Sequence, residues 1–89
     1  MKQLANDNTA YNPKMGDGSR GVVQAVIDGS NNAYLWGSLN GTDYTLVDSF
    51  EANAIKEVVL CAYFKISPSS TDSTGNVAGN TKVLIDETR

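Results

Sequence analysis

The sequence predicts an all-β protein: a small antiparallel β-sandwich or jelly-roll-like barrel of five to six strands, behind an extended N-terminal arm. Three observations lead there. β-branched and aromatic residues gather in short runs. Clusters of Gly, Asn, Asp and Ser separate those runs at short intervals. No stretch sustains the apolar period of a stable helix.

The arm covers residues 1–20 and the sandwich domain residues 21–89. The arm is polar and poor in hydrophobes, and Gly16, Gly18 and Gly21 discourage a helix. Asn12 before Pro13 favours extended backbone. Tyr11 and Met15 are its two anchor side chains, and the arm is expected either to be a frayed terminus or to lie on a neighbouring subunit.

The first strand is Val22-Val-Gln-Ala-Val-Ile27, with Val23, Ala25 and Ile27 facing in and Gln24 out. Asp28-Gly-Ser-Asn-Asn32 is a turn cluster. The central hairpin follows, with strands near 33–39 and 42–50 joined at Asn40-Gly41. Asn-Gly between apolar runs signals a two-residue type I′ turn, which needs two residues at positive φ. That turn sets Leu39 opposite Thr42, Gly37 opposite Tyr44, Leu35 opposite Leu46 and Tyr34 opposite Val47. One face then carries Ala33, Leu35, Gly37, Tyr44 and Leu46. The other carries Tyr34, Trp36, Thr45 and Val47.

Ile55–Ile66 is the longest apolar run. Alternation places Val58, Leu60, Ala62, Phe64 and Ile66 on one face, and Val59, Cys61, Tyr63 and Lys65 on the other. Apolar residues on both sides indicate a central strand, or two short strands joined by a bulge near Cys61-Ala62. Residues 67–80 form a polar Ser/Thr-rich loop longer than ordinary connections. The last strand is Thr81–Asp86, with Val83 and Ile85 facing one way and Leu84 the other.

Composition narrows the chemistry. The chain has 89 residues, a net charge of −3, one cysteine and no histidine. One domain of this size buries a modest fraction of its surface and gains stability from a partner, a metal or disulfides. A single cysteine cannot form an internal disulfide, and Cys61 reads as a small buried hydrophobe. Without histidine the commonest general base and metal ligand are missing. The expectation is therefore no enzyme, no cofactor, and stabilisation by association. Lys2, Lys14, Arg20, Lys56, Lys65, Lys82 and Arg89 are scattered, which argues against nucleic acid. There is no leader-like apolar segment and no run long enough for a membrane helix. Asn40-Gly-Thr42 matches a glycosylation acceptor but is read as a turn.

The hairpin stretch from Gly37-Ser-Leu-Asn-Gly to Phe50, then Ile55-Lys-Glu-Val-Val-Leu and Tyr63-Phe-Lys-Ile66, resembles a pattern of small β-sandwich structural proteins of tailed bacteriophages. In that family the hairpin reads G-S-x-D/N-G-x-x-a-x-L, and a "k-e-hydrophobic" segment and a "Y-hydrophobic-R/K-hydrophobic" segment follow. Discoidin-like jelly rolls share a looser version, but this chain is too short for their eight strands. The resemblance implies a virion structural protein, assembled in the host bacterial cytoplasm. The most specific reading is a capsid decoration or cement protein. It would bind the major capsid protein or other virion subunits, as a homo-oligomer. Tyr11, Met15, Tyr34, Trp36 and Tyr63 are its candidate interface residues. The alternatives are a tail or head–tail connector component, or a carbohydrate-binding module on a virion surface with Trp36 and Tyr34 stacking on a glycan.

Overall fold

Alternating strands rich in Val, Ile and aromatic residues must bury one face each, and here they do so against one another in two layers. The computed structural model describes residues 1–13 and 19–87. Its strands are β1 (Lys2–Gln3), β2 (Arg20–Val26), β3 (Ala33–Ser38), β4 (Thr45–Phe50), β5 (Ala54–Val59), β6 (Tyr63–Ser67) and β7 (Lys82–Asp86). A four-stranded sheet has the order β1-β7-β2-β5, and a three-stranded sheet has the order β4-β3-β6. All pairings are antiparallel. The protein is a small β-sandwich.

The core lies between the sheets. Val23, Ala25, Val58, Val83 and Ile85 enter it from the first sheet, and Ala33, Leu35, Phe50, Phe64 and Ile66 from the second. The alternation expected in residues 22–27 and 81–86 holds. Val23, Ala25, Val83 and Ile85 are fully buried, while Gln24 is exposed.

The Ile55–Ile66 run is two strands in different sheets. β5 pairs with β2 in the first, and β6 with β3 in the second. Its even-numbered face still points inward along both halves, with Val58, Leu60, Phe64 and Ile66 buried. Of the two arrangements expected for this run the structure has the two short strands, with the break beside Cys61-Ala62. The chain changes layer at residues 60–62, which leaves β5 at a sheet edge and no single central strand.

The hairpin register also differs from expectation. Gly37 lies opposite Thr45, Trp36 opposite Leu46, and Leu35 opposite Asp48, with an irregularity between Leu35 and Trp36. The turn spans residues 39–44 because side chains replace ladder bonds. The Ser38 hydroxyl accepts the Asn40 and Gly41 N–H groups, and the Asn40 carboxamide oxygen accepts those of Thr42 and Asp43. Gly41 has φ 76°, but Asn40 does not take a positive φ, so the type I′ condition fails. Leu46 therefore joins the face of Trp36. Val47 moves to the side of Gly37, where a Cβ added at Gly37 would meet its Cγ2 at 2.9 Å.

Residues 1–13 lie on their own chain. β1 pairs with β7, Leu4 is fully buried, and Tyr11 exchanges two backbone hydrogen bonds with Phe64 on the free edge of β6. Between these anchors the Asn6 amide donates to the carbonyls of Val77 and Thr81, and the Asn8 amide to those of Ile66 and Ser73. Asn8 turns the strap at φ 74°, a conformation that Asn tolerates better than most residues. The segment thus straps both sheets along one side of the sandwich.

Candidate interaction surfaces

The outer face of the three-stranded sheet carries Tyr34, Trp36, Ser38, Tyr63, Lys65 and Ser67, which follow by alternation from the buried Leu35, Phe64 and Ile66. This face is turned toward the chain's own loops. Trp36 retains 7% exposure and Tyr34 9%. The indole N–H donates to Ser67 Oγ at 2.9 Å, and the Ser67 hydroxyl also bonds to the carbonyls of Ser69 and Asp72 in the long polar loop. That loop is thereby drawn in beside Trp36. The Tyr34 hydroxyl donates to Glu51. Lys65 sits 4.3 Å from the centre of the Tyr44 ring and donates to Asn8. Tyr63 is half-buried, with its ring against Gly41. Burial, and then the neighbouring Tyr63, push the Tyr44 phenol above its ordinary range.

Of the five candidate interface residues, Tyr34, Trp36 and Tyr63 therefore share one face, but the first two are covered. Neither presents the open ring face that sugar stacking needs. Tyr11 is half-buried in the strap. Its hydroxyl donates to the Glu87 carboxylate, 2.8 and 2.7 Å from the two oxygens, and Lys2 lies 5.5 Å from its ring centre. Burial, then the hydrogen bond and charge of Glu87, push this phenol up to about 12. Met15 lies outside the described residues.

On a sheet face the most exposed apolar side chains belong to the other sheet, while Leu39 at 70% and Val47 at 38% are exposed beside the hairpin turn. Strand alternation turns Val22, Gln24 and Val26 of β2, Ile55, Glu57 and Val59 of β5, and Leu84 and Asp86 of β7 outward. Ile55 is 68% exposed and Val59 50%. Ile55, Val22 and Leu84 line a shallow groove of about 180 Å³ with Met1, Gln24 and Asp86. Charges border it, including the Arg20–Glu57 pair at 2.9 Å. Composition alone does not separate this face from the aromatic one. The missed signal was the 67–80 loop, whose length allows it to return over one sheet.

A second depression of about 440 Å³ opens at one end of the sandwich, where Leu39, Asp43, Thr45, Val47 and Cys61 surround Gly37. Cys61 lies partly buried there and packs on the core margin.

The two exposed sheet edges differ from the strapped side. β4 carries the register shift at Val47. β5 turns Lys56 inward, where its ammonium bonds to Asp48 at 2.9 Å and Ser49 at 3.2 Å and lies 5.0 Å from the Phe50 ring centre. Bulges and inward-pointing lysines both oppose edge-to-edge strand addition. Binding therefore falls to a face more readily than to an edge. Among the described residues, no group of three or more Cys, Asp or Glu side chains is placed to hold a metal ion. Comparison of the chain with protein-family profiles, curated proteins and solved structures gives no match.

Proposed function

We propose that this chain is a virion structural protein of a tailed bacteriophage, a capsid decoration or cement subunit that acts by binding. The observation that carries the reading is the outer face of the four-stranded sheet. There Ile55 and Val59 are exposed, and the partly buried Val22 and Leu84 line a groove beside Ile55. The sandwich fold and the resemblance of residues 34–66 to phage structural proteins support it. The aromatic face is a weaker docking candidate, because Trp36 and Tyr34 are engaged within the chain.

The mechanism is burial of the Ile55 face on the shell. At about 25 cal/mol per Å², roughly 400 Å² of apolar contact contributes on the order of 10 kcal/mol, comparable with the association cost it must offset. One copy on one site then binds marginally. Copies joined around a symmetry axis of the shell gain from effective concentration.

The test is co-sedimentation and light scattering with phage heads assembled without this chain. The native chain is expected to bind in many copies. Ile55→Asp should abolish binding and leave the circular dichroism spectrum unchanged. A chain with no affinity for heads would overturn the proposal, and so would binding that survives Ile55→Asp.

A further inference from the structure

Asn-Gly is the dipeptide most prone to spontaneous deamidation, because glycine leaves the following amide nitrogen unhindered. That nitrogen attacks the asparagine side-chain carbon. A bond forms from Gly41 N to Asn40 Cγ, the amide proton is lost to solvent, and the Cγ–Nδ2 bond breaks to release ammonia. Water then opens the cyclic imide at either carbonyl, leaving aspartate or isoaspartate at position 40. Asn40 and Gly41 are both solvent-exposed, so water has access.

The loop engages the groups that this reaction must move. Gly41 N–H, the nucleophile, donates to Ser38 Oγ at 2.9 Å. The Asn40 carboxamide oxygen accepts from Thr42 N at 2.8 Å, Asp43 N at 2.9 Å and the Ser38 hydroxyl at 3.0 Å. The carboxamide nitrogen, the leaving group, donates to Asp43 Oδ2 at 2.9 Å. Ser38 is 4% exposed and is the last residue of β3, so the hub is anchored to the sheet. Ring closure must rotate the carboxamide off three donors and turn the Gly41 amide away from Ser38.

We propose that Asn40-Gly41 is a latent modification site, a deamidation clock held off by Ser38 and Asp43. Firing it removes the Nδ2–Asp43 hydrogen bond and places a new carboxylate beside the Asp43 carboxylate. The two then repel where they had been joined. An isoaspartyl link also lengthens the backbone of the turn that borders the end depression lined by Leu39 and Val47. The inference does not depend on the proposed virion role.

The experiment follows the 1 Da mass gain and isoaspartate content at position 40 by peptide mapping during incubation at pH 8 and 37 °C. The full chain is compared with a free peptide of residues 36–45. The native chain should deamidate at least tenfold more slowly than the peptide. Ser38→Ala removes the acceptor of the Asn40 and Gly41 N–H groups and one donor to the Asn40 oxygen, and should accelerate the chain by at least about fivefold, the factor a single net hydrogen bond gives. Asp43→Ala, at an exposed position that needs no repacking, should accelerate it in the same direction. Circular dichroism confirms that each variant is folded. A native chain that deamidates as fast as the peptide would overturn the proposal, as would folded Ser38→Ala and Asp43→Ala chains that both keep the native rate.

Discussion

Leu4→Ala tests whether the N-terminal strap is part of the core. Leu4 follows β1, donates its N–H to the Val83 carbonyl at 2.9 Å, and is fully buried among Val23, Val83 and Ile85 in the core cluster. Truncating a buried leucine removes its transfer free energy and leaves a cavity, at a cost of about 2–5 kcal/mol. An 89-residue domain has a total stability on the order of 4–13 kcal/mol. The substitution therefore removes a large share of what holds the fold. Urea unfolding followed by the fluorescence of the single tryptophan, Trp36, reads the effect. With a slope near 1–1.5 kcal/mol per M, a loss of about 3 kcal/mol lowers the midpoint by about 2–3 M. The control is Met1→Ala, at a side chain 84% exposed, which should stay within about 0.5 kcal/mol of native. If Leu4→Ala behaved like that control, the strap would be dispensable and the reasoning wrong.

Further outcomes follow from two anchored aromatics. The Tyr11 phenol is raised to about 12, so the folded state favours its neutral form. The stability it contributes is complete below the ordinary tyrosine range near 10 and is lost as pH rises from there through about 12. Tyr11→Phe should flatten that alkaline loss in unfolding midpoints measured from pH 8 to 12, and an unchanged slope would refute the assignment. Trp36→Phe removes the donor to Ser67 Oγ. Ser67 keeps its bonds to the loop, so the cost should be about 1–2 kcal/mol by thermal unfolding rather than the larger penalty of an orphaned buried group.

Much of the fold was legible in local sequence. Val23, Gln24 and Ala25 alternate as their side chains demand, and so do Val83, Leu84 and Ile85, because a strand has only two faces and an apolar core rewards one of them. Val58, Leu60, Phe64 and Ile66 point inward on both sides of the break near Cys61-Ala62, and two short strands were one of the two arrangements the run indicated. Side-chain parity survives a change of layer that residue type does not mark. The hairpin was less legible. Asn40-Gly41 was read from backbone preference alone, whereas Ser38 and Asn40 satisfy the turn with side chains and shift the register. The aromatic face posed the same difficulty. Trp36 and Tyr34 look like a docking surface until Ser67 brings the long loop beside them.

The all-β class, the core-facing residues of most strands and the position of the hairpin were thus determined by the sequence alone, since they depend on periodicity and local propensity. Only the tertiary structure decided where the N-terminal segment lies, which sheet each half of the Ile55–Ile66 run joins, and which apolar face stays uncovered. Those outcomes depend on contacts between residues far apart in the chain, such as Asn6 with Thr81 and Tyr11 with Phe64. No local pattern encodes such pairings, because loop-closure entropy and the fit of one layer on another select them for the chain as a whole.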